Sequence, residues 1–544
     1  MPATVAQRIV QGLARAGITH VFLVPGESYL PVLDALADCS DIRPVTCRHE
    51  ASAAHMAEAA ARLSGRCGVV MVTRGPGAAH AAVGVHTAAQ ASTPLLLLIG
   101  QVGTDMEDRE AFQEADFAQM FGGMAKRVFT LGPPERTPEI LAAALALAEA
   151  GRPGPVVLAC PEDILGRPCA AEPRPPVRPL PPAPAGTAPV AALLAEAERP
   201  VLLLGGPGWD GPACEAARTF AETQRLPVVT SWRRKDLFDN RHPLYAGELG
   251  LGVNPRLVQR LREADLLLAV GTRLGEPATQ GYGLLPEAEA ARILVHIHPD
   301  PEVLTRAWPR RLAIQAAPGP AMAALAALPP LGPARDGWAR DLAAIHAEWI
   351  RPTPVARGVN PAEIVRHMTE VLPEDAILCS GAGNFAAWVH RFHLPRRPGT
   401  QLAPLSGAMG YGLAAAIAAA LLHPGREVVA VAGDGDALMA IAELATIAHE
   451  GARPVIVVLD NRQYGTIRLH QARAFPGRPA VGTRLSSPDF VALARSFGLH
   501  AERVETTEAF APAFARARQA RPALLHVIQD EFEISPGVRL EAGA

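Results

Sequence analysis

The stretch from Val428 to Gly465 constrains this chain more than any other. Val428-Val429-Ala430-Val431-Ala432 has the apolar, β-branched character of a buried strand, and Gly433-Asp434-Gly435-Asp436 turns it sharply. A helical run from about Ala437 to His449 follows, then a second apolar strand, Pro454 to Leu459, ending in Asp460-Asn461. Strand, turn, helix and strand of these lengths make one βαβ unit with parallel strands. Both strand ends then open on one edge of the sheet, the edge where α/β proteins bind ligands. Asp434 is thereby expected beside Asn461, 27 positions further on. A carboxylate, an amide oxygen and nearby backbone carbonyls form a hard-oxygen set suited to Mg²⁺. Free N–H groups at the start of the helix suit a phosphate. The pattern points to a diphosphate held through a divalent metal.

The rest of the chain repeats this alternation of strand and helix, so the predicted fold class is α/β with three doubly wound parallel-sheet domains. With 544 residues there is room for several domains, each with its own core. The first is expected over 1–166, with strands at Val21–Val24, Arg43–Cys47, Cys67–Thr73, Pro94–Ile99 and Val156–Cys160. Between Ala51 and Ser64, Ala53, Met56, Ala57, Ala60 and Leu63 fall on one helical face. A proline-rich stretch, Arg167 to Pro189, reads as a linker. A central domain is expected over 190–328, a second linker at Pro329–Pro333, and a third domain over 355–544.

Composition excludes several function classes. Net charge is −3, which gives no reason to expect nucleic acid or an anionic membrane as partner. The longest apolar run, Leu413 to Leu422, is too short to span a bilayer, and Met1 to Gly17 reads as an amphipathic helix without a signal-peptide core. Seven scattered cysteines without C-x-x-C spacing suggest reduced thiols, so a cytoplasmic protein is expected.

Gly433-Asp434-Gly435, the step to Asn461 and the layout of three units resemble the thiamine diphosphate enzymes. The resemblance implies that the first domain grips the pyrimidine ring and the third the diphosphate, with an accessory domain between. It also implies that Asp434, Asn461 and the backbone carbonyl of Gln463 ligate the metal, and that Gly435, Asp436 and Gly465 complete the diphosphate turn. His49-Glu50, His55-Met56-Ala57-Glu58 and Val72-Thr73-Arg74-Gly75-Pro76-Gly77 resemble the acetolactate synthase large subunit branch. Glu50 then matches the carboxyl that bonds the aminopyrimidine and promotes loss of the thiazolium proton. Pro76 would lie against the same ring.

Further residues follow from the same resemblance. Phe112 and Gln113 match a segment that lines the reaction centre, where an amide can bond a substrate carbonyl. Gly407 and Met409 match the turn whose bulky apolar residue bends the cofactor. Asn384, in Gly381-Ala382-Gly383-Asn384-Phe385, matches a polar contact to the diphosphate. His470 stands where acetolactate synthases carry a tryptophan. Val270-Gly271-Thr272-Arg273 resembles a segment that contacts FAD, but the motif's second arginine is missing. His296 and His298 flank Ile297 and read as structural rather than as a metal pair.

The function implied is decarboxylation of a 2-oxo acid with carboligation to a second carbonyl compound, dependent on thiamine diphosphate and Mg²⁺. Alternatives are a related lyase or decarboxylase acting on a 2-hydroxyacyl-CoA, oxalyl-CoA or an aromatic 2-oxo acid, or a non-catalytic nucleotide-binding regulatory protein. The expected partners are the small-molecule 2-oxo acid and further copies of the chain, as a homodimer or homotetramer, because the family builds its site between subunits.

Overall fold

The computed structural model describes residues 2–178, 180–306 and 308–540; Met1, Pro179 of the first linker and 541–544 of the third domain lie outside the described residues. Three six-stranded sheets, parallel throughout, follow one another along the chain. The first contains β1 (His20–Leu23), β2 (Arg43–Thr46), β3 (Gly68–Val72), β4 (Leu95–Gln101), β5 (Arg127–Thr130) and β6 (Pro155–Pro161). The second contains β7 (Pro200–Leu204), β8 (Val228–Ser231), β9 (Tyr245–Leu249), β10 (Leu266–Val270), β11 (Leu294–His298) and β12 (Leu312–Gln315). The third contains β13 (Ile377–Ser380), β14 (Gln401–Leu402), β15 (Val428–Gly433), β16 (Val455–Asp460), β17 (His500–Val504) and β18 (Ala523–Ile528).

Sheet order locates the ligand crevices. The first sheet runs β2-β1-β3-β4-β6-β5 and the third β14-β13-β15-β16-β18-β17, so the outer domains share one topology. The order reverses between β1 and β3, and between β13 and β15. At such a switch point the loops leave the strand ends in opposite directions and open a crevice. Gly381–Asn384 follow β13 and Gly433–Asp434 end β15, so both expected diphosphate turns flank one crevice. The equivalent crevice of the first sheet is flanked by Pro25-Gly26 and Gly75-Pro76, with Glu50 next to it after β2. The central sheet runs β12-β11-β10-β7-β8-β9, the dinucleotide-binding order read backwards, with its switch between β7 and β10.

The outer domains share a single core. One apolar cluster holds Val70 and Leu97 of the first sheet together with Ala430 and Val458 of the third. Three helices join them: Glu50–Ser64, Pro76–Ala91 and Tyr411–Leu422. The central sheet has separate cores on its two faces, and Trp338 and Leu342 of the helix Asp336–Trp349, beyond the second linker, belong to one of them.

Three differences from the sequence reading have clear causes. The helix at Glu50–Ser64 is buried from Ser52 to Ala61, not on one face, because it lies between the first sheet and the Tyr411–Leu422 helix. The helical run after β15 starts at Asp434 itself and breaks into Asp434–Leu438, a 3-10 turn Ile441–Glu443 and Leu444–Glu450. The break aims Glu443 at the first domain. Edge strand β5 is absent from the sequence reading because its half-exposed face carries little apolar pattern. No helix among the described residues is long and apolar enough to cross a membrane.

Candidate active site

The turn before Glu50 is tied to the third domain. Glu443 accepts hydrogen bonds from the backbone N–H groups of Arg48, at 3.1 Å, and His49, at 3.0 Å. Burial raises the Glu443 carboxyl above its ordinary pKa, and these hydrogen bonds oppose the rise. Glu450, from the same broken helix, accepts from Thr46 N at 2.9 Å and pairs with Arg43. The end of β2 is therefore clamped by the segment that begins at Asp434. His49 caps the Glu50–Ser64 helix, its Nδ1 accepting from Ala51 N at 3.1 Å, and left-handed Gly65 closes the other end.

Glu50 thus opens a buried helix at the ligand edge, with its side chain 13% exposed. Among the described residues its carboxylate has one side-chain hydrogen-bond partner, His80 Nδ1, at 2.9 Å. A side chain at Gly77 would crowd it, since a Cβ there would stand 3.4 Å from Glu50 Oε1. Pro76 starts the following helix after Gly75, whose φ of 45° suits glycine. A Cβ on Gly75 would meet the Gln113 carbonyl at 2.6 Å, so the loop carrying Phe112 and Gln113 docks on this turn. Gln113 itself has a positive φ of 63°, and Glu114 ties the loop by accepting from Asp108 and Ala111. Phe112 is 77% exposed, a large apolar ring on an open surface.

The third-domain residues form a second cluster. Asp434 and Asp460 flank Ser487, whose hydroxyl lies 3.1 Å from Asp434 Oδ2 and 3.0 Å from Asp460 Oδ1. Burial, then the Asp460 carboxylate, pushes Asp434 up to about 7. His526 Nε2, at 2.8 Å, bonds the far oxygen of Asp460, which with further donors keeps that carboxyl low despite burial. Asn461 follows directly, and Gly465 lets the chain turn back over it, a Cβ there coming within 3.3 Å of Asn461 Nδ2. Gln463 is buried, its amide oxygen accepting from Arg468 at 2.6 Å and its amide nitrogen donating to the Glu531 carbonyl. Its side chain is thus engaged, and its backbone carbonyl accepts from Gly465 N at 3.0 Å. A return strand pairs over this segment, Tyr464 N donating to Thr483 O and Leu485 N to Arg462 O.

Glycines bring the remaining loops together. A Cβ on Gly435 would stand 2.6 Å from the Tyr464 ring, and one on Gly433 would stand 2.8 Å from the Phe385 ring. Asp436 Oδ1 accepts from Ala382 N and Gly410 N, both at 3.0 Å, so one buried carboxyl fastens the Gly381–Asn384 loop to the turn containing Gly407 and Met409. Burial pushes that carboxyl up to about 7. Gly407 has a φ of 74°, and Met409 beside it is half-buried.

These residues fit a diphosphate and a divalent cation. Asn384 Oδ1 accepts from Thr466, while its buried Nδ2 has no partner, a donor left for an anion. Two carboxylates sharing one serine hydroxyl leave excess negative charge that a hard cation neutralises. Sequence reasoning missed Glu443, Ser487, Asp460 and His80; of these only Asp460, adjoining Asn461, was signalled locally.

In the central crevice the two turns touch: a Cβ on Gly206 would stand 1.9 Å from the Gly271 carbonyl. Arg273 donates to Gln90 O of the first domain. His296 and His298 are buried, and His296 Nε2 lies 2.8 Å from Thr272 O, in agreement with a structural part.

Comparison with known proteins matches all three domains in order. The model for the thiamine pyrophosphate enzyme N-terminal TPP binding domain covers residues 3–120, that for the central domain 187–325, and that for the C-terminal TPP binding domain 381–527. The chain is 33% identical to a probable acetolactate synthase large subunit of Methanocaldococcus jannaschii, over 98% of this chain and 94% of the relative. It is 30% identical to the acetolactate synthase isozyme 2 large subunit of Escherichia coli, over 97% and 96%. With Parasynechococcus marenigrum acetolactate synthase large subunit the identity is 30%, over 96% and 87%. With every module matched in sequence order and relatives aligned along nearly their whole length, the chain belongs to the thiamine pyrophosphate enzyme family.

Proposed function

We propose that this enzyme removes carbon dioxide from a 2-oxo acid and joins the remaining acyl fragment to a second carbonyl compound, using thiamine diphosphate and Mg²⁺. One observation carries the reading. Two sheets of identical order present, at equivalent edges, a covered carboxylate at Glu50 and an oxygen-lined cluster at Asp434, suited to opposite ends of one cofactor.

When bound, the cofactor supplies a carbon nucleophile and an electron sink. Asp434, Asn461 and the Gln463 carbonyl would hold the cation, and Asn384 Nδ2 would donate to the diphosphate. Met409 would press the cofactor toward its bent shape. Glu50 would hold a proton at the pyrimidine nitrogen. Gln113 would donate to the substrate oxygen as charge develops there, and Phe112 would cover the reacting carbon.

Phe112, Met439 and Ile467 are exposed apolar side chains on the segments that carry these residues, and a second copy of the chain would cover them, so we read the enzyme as a homodimer or a dimer of dimers. The carbon chemistry uses no flavin; the visible spectrum of the purified protein decides whether the central crevice holds FAD.

The test is carbon dioxide release from a panel of 2-oxo acids, with and without thiamine diphosphate and Mg²⁺, followed by product analysis. Release that needs both, with a ligated product from pyruvate, is expected. Acetaldehyde alone would favour the decarboxylase alternative, which the exposed His470 in place of a tryptophan supports. No turnover of any 2-oxo acid or acyl-CoA substrate would leave the regulatory alternative.

A further inference from the structure

We propose that His80 is a positioning residue for Glu50: its ring fixes one carboxylate oxygen so that the other is presented to the cofactor. The proposal rests on the reading of Glu50 given above. A glutamate at the start of a helix has three rotatable bonds, and freezing them costs on the order of 1–2 kcal/mol. A carboxyl that must meet a ring nitrogen within hydrogen-bond distance works best if that cost is met before the cofactor arrives.

The geometry supplies the restraint. Glu50 Oε2 lies 2.9 Å from His80 Nδ1, on the Pro76–Ala91 helix. Glu50 Oε1 makes no hydrogen bond among the described residues and stands over Gly77, whose missing side chain keeps that side open. Other nearby polar groups are engaged elsewhere: the Tyr29 hydroxyl donates to the Val24 carbonyl at 2.5 Å, and Glu443 holds the amides of Arg48 and His49.

His80 is itself held. Its ring stacks on His49 with centroids 4.7 Å apart and planes inclined by 27°. His49 cannot swing freely, because its Nδ1 accepts from Ala51 N; its ring proton in the neutral form is therefore on Nε2. The restraint thus runs from the Ala51 amide through two stacked rings to Glu50, linking two helices of the first domain. His80 is 53% exposed, whereas Glu50 is largely covered.

The test compares holoenzyme carrying His80→Ala or His80→Asn with the parent. Asparagine keeps a donor at about the reach of Nδ1 without the ring. Thiamine diphosphate affinity is read by calorimetry with Mg²⁺ and no substrate, alongside kcat and KM. His80→Ala is expected to weaken cofactor binding and lower kcat by about tenfold each, the size of one hydrogen bond to a charged group, with the KM of the oxo acid unchanged. His80→Asn is expected to recover both to within about threefold. In a Glu50→Ala background, which removes the partner of His80, His80→Ala should have no further effect on cofactor affinity. Unchanged affinity and kcat in His80→Ala, or an asparagine variant as impaired as the alanine one, would overturn the proposal. Failure of the parent protein to bind thiamine diphosphate would instead overturn the reading of the site itself.

Discussion

At the residue scale, the site consists of polar groups whose needs the chain only partly meets. Asn384 shows this best: its oxygen is satisfied by Thr466 and its buried nitrogen by nothing among the described residues. Such a donor costs stability without a ligand and returns it when an anion binds. Asn384→Ala should therefore raise the calorimetric Kd for thiamine diphosphate about tenfold while shifting the apoprotein melting temperature little. An equal loss in both would make Asn384 a structural residue. Legibility at this scale followed the regularity of the unit connecting two residues. Asp434 and Asn461 are paired as an expectation because a βαβ unit fixes their relation. His80 is not so paired with Glu50, because 30 positions and a change of helix separate them, and Glu443 lies 395 positions from Arg48. Nothing local in the sequence announces such partners.

At the element scale, Glu50 is placed by packing of small side chains. The Glu50–Ser64 and Pro76–Ala91 helices approach so closely that a Cβ on Gly84 would stand 2.2 Å from the Ala54 Cβ and 3.1 Å from its carbonyl carbon. Neither obstacle is the end of a flexible side chain, so the helices must separate to admit a methyl group. Gly84→Ala is expected to cost about 1–3 kcal/mol in urea unfolding, offset in part by alanine's better helix propensity. Because the displaced helix begins at Glu50, kcat should fall as well. Unaltered unfolding and kcat would mean that the contact relaxes freely. The alanine-rich sequence announced the Glu50–Ser64 helix but not its burial on all sides: a one-sided apolar stripe is legible only where water covers the other face. The same reasoning explains the run after β15, where the residues are helical but Glu443 is drawn to the Arg48 and His49 amides.

At the scale of the whole molecule, the outer domains share a core while the central domain joins the third through polar contacts, and those contacts are sensitive to acid. Lys235 donates to the carbonyls of His390 and His393, Asp236 accepts from Gly399 N at 2.9 Å, and the Asn240 amide donates to Pro395 O at 3.0 Å. The three-domain layout was legible from strand periodicity and the proline-rich linkers; this junction was not, because its partners come from different domains. His393 lies buried within it, Nδ1 meeting Thr369 Oγ1 at 2.9 Å and Nε2 without a partner. Burial, then the positive charges of Lys235 and Arg241, lowers its pKa from 6.5 to about 3. The folded state therefore refuses a proton that the unfolded chain accepts. The contribution to stability is present above pH 6.5 and is lost as pH falls from there toward 3. Between pH 7 and pH 5 one such histidine costs about 2 kcal/mol of unfolding free energy. Buried Asp434, Asp436 and Glu248, each raised to about 7, act in the opposite sense, so the parent protein alone does not isolate the effect. A His393→Gln variant does. Whatever it costs at pH 7, its urea-derived stability should fall by about 2 kcal/mol less than the parent's on going to pH 5. Parallel losses in the two proteins would show that His393 takes up its proton within the folded junction, and that acid does not work through this joint.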